Sequence, residues 1–319
     1  MKKITLLLSA LCLLLLSAAP ALAQGDQTPT GPPKYLYIER ELLKPGAFAP
    51  HTRESNNFVR MLAHARSVSG EPRYYRVGMT PVAGNANEVI YVFPFASLDD
   101  IAKYQMDVER WMSRPGPVRT FYEKISAEHP SPQASLSDDF HLSQTAMIAE
   151  RVDALTYNPR ASGLADARFV EMITWRVKPG QTQNFMKAGG IVVGAHREAK
   201  TDAHFATYRV RGGALDGTYF TLTSLVSMSE MNPDQSQQAA YVKAIGDKMG
   251  DLSKLSGESL TNSEVNVYRI IPTMSAVPDE WNQGANRAFW SMTLPEPPPS
   301  TTTTTAGARA ANNKKRARP

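Results

Sequence analysis

Two acidic residues in strand-like segments are the first candidates for catalytic chemistry. Glu39 lies in the run 34–46, and Glu171 lies in a matching run, 168–180. A carboxylate buried in a protein has a raised pKa and can act as a general base near neutral pH. The simpler alternative is that these acids form ordinary ion pairs or a solvated rim. Aromatic side chains that could orient an aromatic ligand beside them are Tyr35, Tyr37, Tyr75, Tyr91, Trp175 and Tyr208.

Histidines are the second group of candidates. His64 and His196 each follow an alanine near the end of a stretch of helical length, and these matched positions would suit haem ligation. A histidine near a helix C-terminus also interacts well with the helix dipole and needs no ligand there. The remaining histidines show no i, i+4 pair or carboxylate spacing typical of a metal site; they are His51, His129, His141 and His204. We therefore predict no metal site and no cofactor, with haem as the alternative.

Signatures of the common enzyme classes are missing. The sequence contains no Gly-x-Ser-x-Gly elbow, no phosphate-binding loop and no Gly-x-Gly-x-x-Gly after a strand. Its single cysteine, Cys12, lies in an apolar run near the N-terminus that we expect to be removed, so no disulfide or thiolate nucleophile is predicted in the mature chain. The usual hydrolase and nucleotide-binding functions are not indicated.

Four landmarks occur twice in the same order. A β-rich run ends in Lys-Pro-Gly at 34–46 and again at 168–180, and each is followed by a stretch of helical length, 48–67 and 181–200. Tyr-Arg-Val recurs at 75–77 and 208–210, a glycine turn follows, and helix caps begin at Ser97 and Ser229. The shared order and spacing predict an internal duplication.

Each copy contains the same series of elements. The further strands are predicted at 73–79, 88–94 and 151–157 in the first copy, and at 205–211, 218–226 and 264–271 in the second. The second helices are predicted at 101–111 and 235–249. The first copy also carries an insert, about 114–144, with a helix at 118–128. The resulting βαββαβ order is that of the ferredoxin-like plait.

This order of elements resembles the dimeric αβ barrel superfamily, which includes NIPSNAP-type, EthD-type and antibiotic-biosynthesis-monooxygenase-type domains. The resemblance covers 34–159 and 168–272. It implies an α+β fold in which two ferredoxin-like βαββαβ repeats pack their antiparallel sheets together as an intramolecular αβ barrel, so a monomer would supply both halves. The superfamily contains haem-degrading and cofactor-free oxygenases and stress proteins, so the resemblance implies no single activity. No family-specific catalytic signature is matched.

Strand alternation divides the first strand of each copy into two faces. We predict that Leu36, Ile38, Val170 and Met172 face the helices. The other set would then point into the barrel; it comprises Tyr35, Tyr37, Glu39, Glu41, Phe169, Glu171, Ile173 and Trp175. A barrel pocket lined by aromatic and acidic side chains follows from this assignment.

The N-terminal residues predict export. Residues 1–23 have a basic start, an apolar run and a small-residue cleavage site, which is the pattern of a signal peptide. Segments 24–33 and 160–167 are predicted linkers, 273–294 a C-terminal extension, and 295–319 a disordered basic tail. No other stretch approaches the roughly 20 apolar residues of a membrane-spanning helix. The predicted location is periplasmic or secreted.

Charge argues against a nucleic-acid partner. The formal net charge is +5, but seven basic residues belong to the leader and the tail, and the remainder carries about −2. A nucleic-acid groove needs a basic surface. The leading hypothesis is an exported protein that binds a small apolar or aromatic ligand or acts in an interaction. The alternatives are an oxygenase-like enzyme acting on an aromatic compound or haem, and a structural cell-surface protein.

Overall fold

The computed structural model describes residues 31–69, 74–128, 140–158, 164–232 and 234–294. The predicted signal peptide, most of the 24–33 linker, part of the 160–167 linker, His129 and the basic tail lie outside these residues. None of the described helices combines the length and the apolar character needed to cross a bilayer.

Eight strands and six longer helices make up most of the described chain. In chain order they are β1 (Tyr35–Leu43), α1 (Phe48–Ser69), β2 (Val77–Pro81), β3 (Glu88–Phe95), α2 (Leu98–Ser113), α3 (Pro117–Glu128), β4 (His141–Arg151), β5 (Phe169–Val177), α4 (Thr182–Ala199), β6 (Ala206–Gly212), β7 (Thr218–Leu225), α5 (Gln235–Ile245), α6 (Lys248–Ser259) and β8 (Leu260–Ile270). A short helix, α7 (Arg287–Trp290), lies in the predicted C-terminal extension.

The strands close into one antiparallel barrel in the order β1-β3-β2-β8-β5-β7-β6-β4. Two joints connect the earlier four strands to the later four. In one, Met79 of β2 is opposite Ile270 of β8, and in the other Ala149 of β4 is opposite Val210 of β6. The predicted α+β class with an antiparallel αβ barrel is confirmed.

Local sequence explains where several elements begin and end. Gly46 and Gly180, the last residues of the two Lys-Pro-Gly turns, have positive φ angles of 80° and 76°, which glycine adopts without strain. Ser97 caps α2 in a capping box with Asp100, as its position predicted. Asp234 caps α5 through its side chain. These turns and caps depend on neighbouring residues alone.

Three element predictions are corrected. The strand predicted at 151–157 is wrong: β4 ends at Arg151, and Asp153–Leu155 is a 3₁₀ turn. The start of β4 is polar and lies in the predicted insert, so only its pairing with β1 reveals it as a strand. The helix predicted at 235–249 is two helices, separated at Gly246, which has a positive φ. The strand predicted at 73–79 begins only at Val77.

The predicted assignment of faces is also wrong. Leu36, Ile38, Val170 and Met172 belong to a core cluster with side chains from all eight strands, so they fill the barrel and do not face the helices. Tyr35 and Tyr37 pack instead in a second cluster with residues of α1 and α2. Trp175 packs against Phe185 of α4. Alternation separates the two sets, but both faces of β1 and β5 are at least partly covered, and so hydrophobicity does not identify the inner face of these strands.

Candidate functional site

A cavity of about 350 Å³ lies inside the barrel, at the end where β1, β5 and β6 begin and β3 and β7 finish. Its wall is mainly aliphatic and aromatic. The strands contribute Leu36, Val77, Met79, Val92, Val170, Ala206, Tyr208 and Leu222. Segments outside the strands add to the wall at this end, including 31–33 before β1, 164–165 before β5, 204–205 before β6 and residues between 276 and 281 after β8.

The segment after β8 covers this end of the barrel. Trp290 is 7% exposed, belongs to the barrel core and donates its Nε1 hydrogen to the carbonyl oxygen of Ala165 at 2.8 Å. Trp281 packs on Trp290, with ring centroids 5.8 Å apart, and lines the cavity. Arg168 fixes the segment further, because it donates to Asn286 and stacks on the ring of Phe289. The predicted C-terminal extension is therefore part of the cavity wall.

A few polar groups lie in this wall. The hydroxyl of Tyr208 donates to the carbonyl oxygen of Pro33 at 3.1 Å, and Nε2 of His204 lies 2.6 Å from the carbonyl oxygen of Ser224. Tyr75 and Asn158 add two further polar side chains. Among the described residues that line the cavity, none is acidic. The arrangement suits an apolar molecule with a small number of hydrogen-bonding groups.

Hydrogen-bonded polar side chains occupy the opposite end of the barrel interior. Arg40, on the same face of β1 as Leu36 and Ile38, donates to Glu88, and the hydroxyl of Tyr268 donates to the same carboxylate at 3.3 Å. Glu88 and Tyr268 are both buried. The cavity is therefore confined to one end of the barrel.

A second polar region lies outside the barrel, between the first strands and α1. Nη2 of Arg76 donates to the carbonyl and hydroxyl oxygens of Ser55 at 2.8 Å and 2.6 Å, and the guanidinium group stacks on Tyr91 at 4.3 Å. The hydroxyl of Tyr91 also donates to Ser55. Burial raises the pKa of Glu39 in this layer to about 7, helped by the charge of Glu41 and opposed by Arg76.

Glu41 belongs to the same layer and forms what we term the His–Glu cluster with His51 and His141. Oε2 of Glu41 lies 2.7 Å from Nε2 of His51 and 3.2 Å from Nε2 of His141. Burial would raise the pKa of Glu41, but its contacts with His141 and His51 outweigh burial and lower it to about 2. Two neighbouring carboxyl groups, Glu39 and Glu41, therefore differ in protonation near neutral pH.

The His–Glu cluster was missed in the sequence. Its three residues offer metal-ligand atoms within 4.8 Å of one another, yet they come from β1, α1 and β4. Motif spacing detects ligands from one or two adjacent elements, and His141 lies in a segment that was predicted as an insert. Because of this cluster, the prediction that the protein has no metal site and no cofactor is no longer supported as the main expectation.

Only two of the six predicted ligand-binding aromatics line the cavity, namely Tyr75 and Tyr208. Tyr37 and Tyr91 pack in the layer under the helices. Tyr35 also packs there and donates to Glu150, and Trp175 donates to Thr221. They are on the outer face because the predicted faces were inverted.

The predicted catalytic residues do not meet in one site. Glu39 lies under α1, whereas Glu171 lies in β5 of the other half, where burial alone raises its pKa. His64 stacks on Phe121 with ring centroids 4.1 Å apart. His196 stacks on both Tyr157 and Tyr241, and its Nδ1 lies 2.8 Å from the hydroxyl oxygen of Thr201. None of these four residues lines the cavity.

Comparison with known proteins does not place the chain in a family. No family model matches it, and no curated protein matches it. Solved structures with partial similarity include an anthrone oxidase-like protein, with 11% identity over 75% of this chain and 92% of that chain, at a TM-score of 0.40. A mutant chlorite dismutase from Candidatus Nitrospira defluvii has 8% identity over 79% of this chain and 96% of that chain, at a TM-score of 0.42. These values assign no activity to the chain.

Proposed function

We propose that the protein binds a small apolar or aromatic molecule in the barrel cavity. The observation that carries this proposal is the cavity itself, with about 350 Å³ enclosed mainly by apolar side chains. Ligand sites in proteins commonly span roughly 300–1,000 Å³, and a cavity of about 150 Å³ accommodates benzene. A ligand of about two fused rings fits this volume, with Tyr75, Tyr208 and Asn158 as candidates for contacts with its polar substituents.

Binding is the activity that this apolar wall supports directly. The residues predicted as catalytic, Glu39, Glu171, His64 and His196, do not line the cavity, so they cannot act as a general base on a molecule bound there. The oxygenase-like alternative stays a prediction. The cell-surface alternative depends on the tail after residue 294, which lies outside the described residues, and it also stays a prediction.

We also infer that the barrel arose by tandem duplication, so that one chain supplies both halves and a monomer suffices. The strand order supports this inference. Within the barrel, β4-β1-β3-β2 are consecutive, and so are β8-β5-β7-β6, which gives matching orders for the two halves. The joints between the halves also correspond: β2 matches β6 and β8 matches β4, so the β2–β8 joint and the β4–β6 joint are equivalent.

Export of the mature chain remains part of the proposal. N-terminal sequencing of protein recovered outside the cytoplasm tests cleavage after residue 23.

The binding test uses 2-naphthol as a probe and isothermal titration calorimetry as the readout. We expect saturable binding with one site per chain. Leu222→Phe, which adds volume to the wall, should weaken binding at least tenfold. The same substitution at Leu215, which is 75% exposed and outside the cavity, is the control and should leave binding unchanged. Equal binding by the Leu222→Phe variant, or no binding by the unmodified protein to 2-naphthol, indole or anthracene, contradicts the proposal.

A further inference from the structure

The His–Glu cluster is separate from the barrel cavity and is not used by the proposed function. Glu41 is near the end of β1, His51 is in the first turn of α1, and His141 is the first residue of β4. The antiparallel pairing of β1 with β4 brings the end of β1 beside the start of β4, with Leu43 opposite His141 and Glu41 opposite Gln144. The cluster therefore depends on strand register as well as on the turn that starts α1.

Its geometry is close to that of one coordination sphere. Both imidazole Nε2 atoms approach the same carboxylate oxygen, at 2.7 Å and 3.2 Å. Ligand atoms bound tetrahedrally to one ion at about 2.0–2.2 Å are about 3.3 Å apart. An ion would therefore need Nε2 of His51 to withdraw from Oε2 of Glu41 by about 0.6 Å, whereas Nε2 of His141 is already near the required distance from that oxygen. All three ligand atoms lie within 4.8 Å of one another.

The surroundings orient these groups. Nε2 of Gln144 donates to Oε1 of Glu41 at 3.1 Å, which leaves Oε2 directed at the two histidines. Support of this kind from outside the ligand set is typical of metal-bound carboxylates. His51 is 5% exposed, and its Nδ1 has no hydrogen-bond partner among the described residues. The polar contact of this ring is therefore on its Nε2 side, where it meets Oε2 of Glu41.

Access to the cluster is limited but present. Phe140 and Tyr91 pack near His51, with ring centroids 6.3 Å and 6.2 Å from it, and form an apolar surround. The side chain of His141 is 14% exposed, whereas those of His51 and Glu41 are 6% and 7% exposed. An ion can therefore reach the cluster past His141 and then be held by the two buried groups.

We propose that the His–Glu cluster binds one divalent first-row transition-metal ion through Oε2 of Glu41, Nε2 of His51 and Nε2 of His141. Two imidazoles and one carboxylate favour Zn²⁺ or Fe²⁺ over Mg²⁺ and Ca²⁺, which take oxygen ligands. Three protein ligands leave a coordination position for water. The ion ties β1, α1 and β4 together, so its removal lowers the stability of the folded chain.

Cobalt is the first probe, because Co²⁺ replaces Zn²⁺ at such sites and has visible absorption bands when bound to nitrogen and oxygen ligands. Tag-free protein is treated with EDTA, dialysed and titrated with Co²⁺. We expect bands that saturate at one Co²⁺ per chain and disappear when Zn²⁺ is added. Saturating Zn²⁺ should also raise the Tm. Absence of both the cobalt bands and the Tm rise overturns the proposal.

Variants then test the ligands. Glu41→Gln keeps the shape of the side chain but removes its charge, and His141→Gln removes the more accessible imidazole; both should abolish the bands and the Zn²⁺-dependent rise in Tm. Gln144→Ala should weaken binding roughly tenfold. His64→Gln, which changes a histidine stacked on Phe121 away from the cluster, is the control and should bind like the unmodified protein. Far-ultraviolet circular dichroism identifies variants that fail to fold. If Glu41→Gln does not fold, the result for His141→Gln decides whether the cluster binds the ion. Bands that persist in His141→Gln, or that vanish in His64→Gln, overturn the proposal.

Discussion

The difference in stability between the Glu39→Gln variant and the unmodified protein should shift in favour of the variant as the pH rises from acidic to alkaline values. Burial raises the pKa of Glu39 from its ordinary 4.5 to about 7, so the fold favours the neutral carboxyl group. Between these two values the folded chain binds more protons than the unfolded chain. The free energy of unfolding must therefore decrease as the pH rises through this range and level off above it.

The size of the decrease follows from the two pKa values. A change from 4.5 to about 7 corresponds to about 3 kcal/mol of differential interaction between the protonated and ionised forms. Glutamine has nearly the same shape and can still accept a hydrogen bond from Tyr37, but it does not ionise. The stability difference between Glu39→Gln and the unmodified protein should consequently shift by about 3 kcal/mol in favour of the variant between pH 4.5 and pH 8.

Urea denaturation of both proteins, in EDTA and at several pH values between 4 and 8.5, measures this difference. Other titrating groups, including those of the His–Glu cluster, are common to both chains and largely cancel when one curve is subtracted from the other. A difference that is the same at every pH would refute the electrostatic account of Glu39. A difference that grows in the opposite direction would mean that the ionised form is the one stabilised by Arg76.

Three further predictions concern stability and are checked by urea or thermal denaturation. Gly78→Ala should lower the free energy of unfolding by about 1–3 kcal/mol, because the added Cβ would lie 2.8 Å from Cβ and 2.9 Å from the carbonyl oxygen of Met274. Gly190→Ala, in the interior of α4 where the added Cβ meets open space, should instead raise it by about 0.5–1 kcal/mol. Equal effects of the two substitutions would contradict this reasoning. Tyr74→Phe should cost about 1–2 kcal/mol, because Tyr74 donates to the buried carboxylate of Asp107 at 2.6 Å, and a neutral result would mean that Lys103 and Arg110 suffice. Trp290→Ala should cost about 3–5 kcal/mol and weaken 2-naphthol binding, because this side chain covers the cavity end of the barrel; unchanged binding would place the ligand elsewhere.

The candidate site was only partly predictable from the residues. Tyr75 and Tyr208 were named as ligand-binding candidates because they are aromatic residues on strands predicted to neighbour the first strands, and both line the cavity. The aliphatic part of the wall carried no signal, since leucine and valine are ordinary strand residues. The covering segment near Trp281 and Trp290 follows the last strand, and its position over the barrel depends on contacts with Ala165 and Arg168, more than a hundred residues earlier.

The sequence by itself determined the order of elements, because that order depends on local interactions. Lys-Pro-Gly ends β1 and β5, where the glycine adopts a positive φ, and the Ser97 capping box starts α2. The α+β class followed from this order, whereas the closed barrel was expected from the family resemblance. The turns and caps are specified by a few consecutive residues, which is why they could be recognised without coordinates.

Only the tertiary structure decided which face of each strand lines the barrel and which polar groups meet. Leu36 and Glu41 belong to opposite faces of β1, but both faces are buried, one against other strands and one against helices. The register of β1 with β4 placed His141 beside Glu41, although they are a hundred residues apart. Such contacts depend on packing and long-range pairing, and no local pattern of residues specifies them.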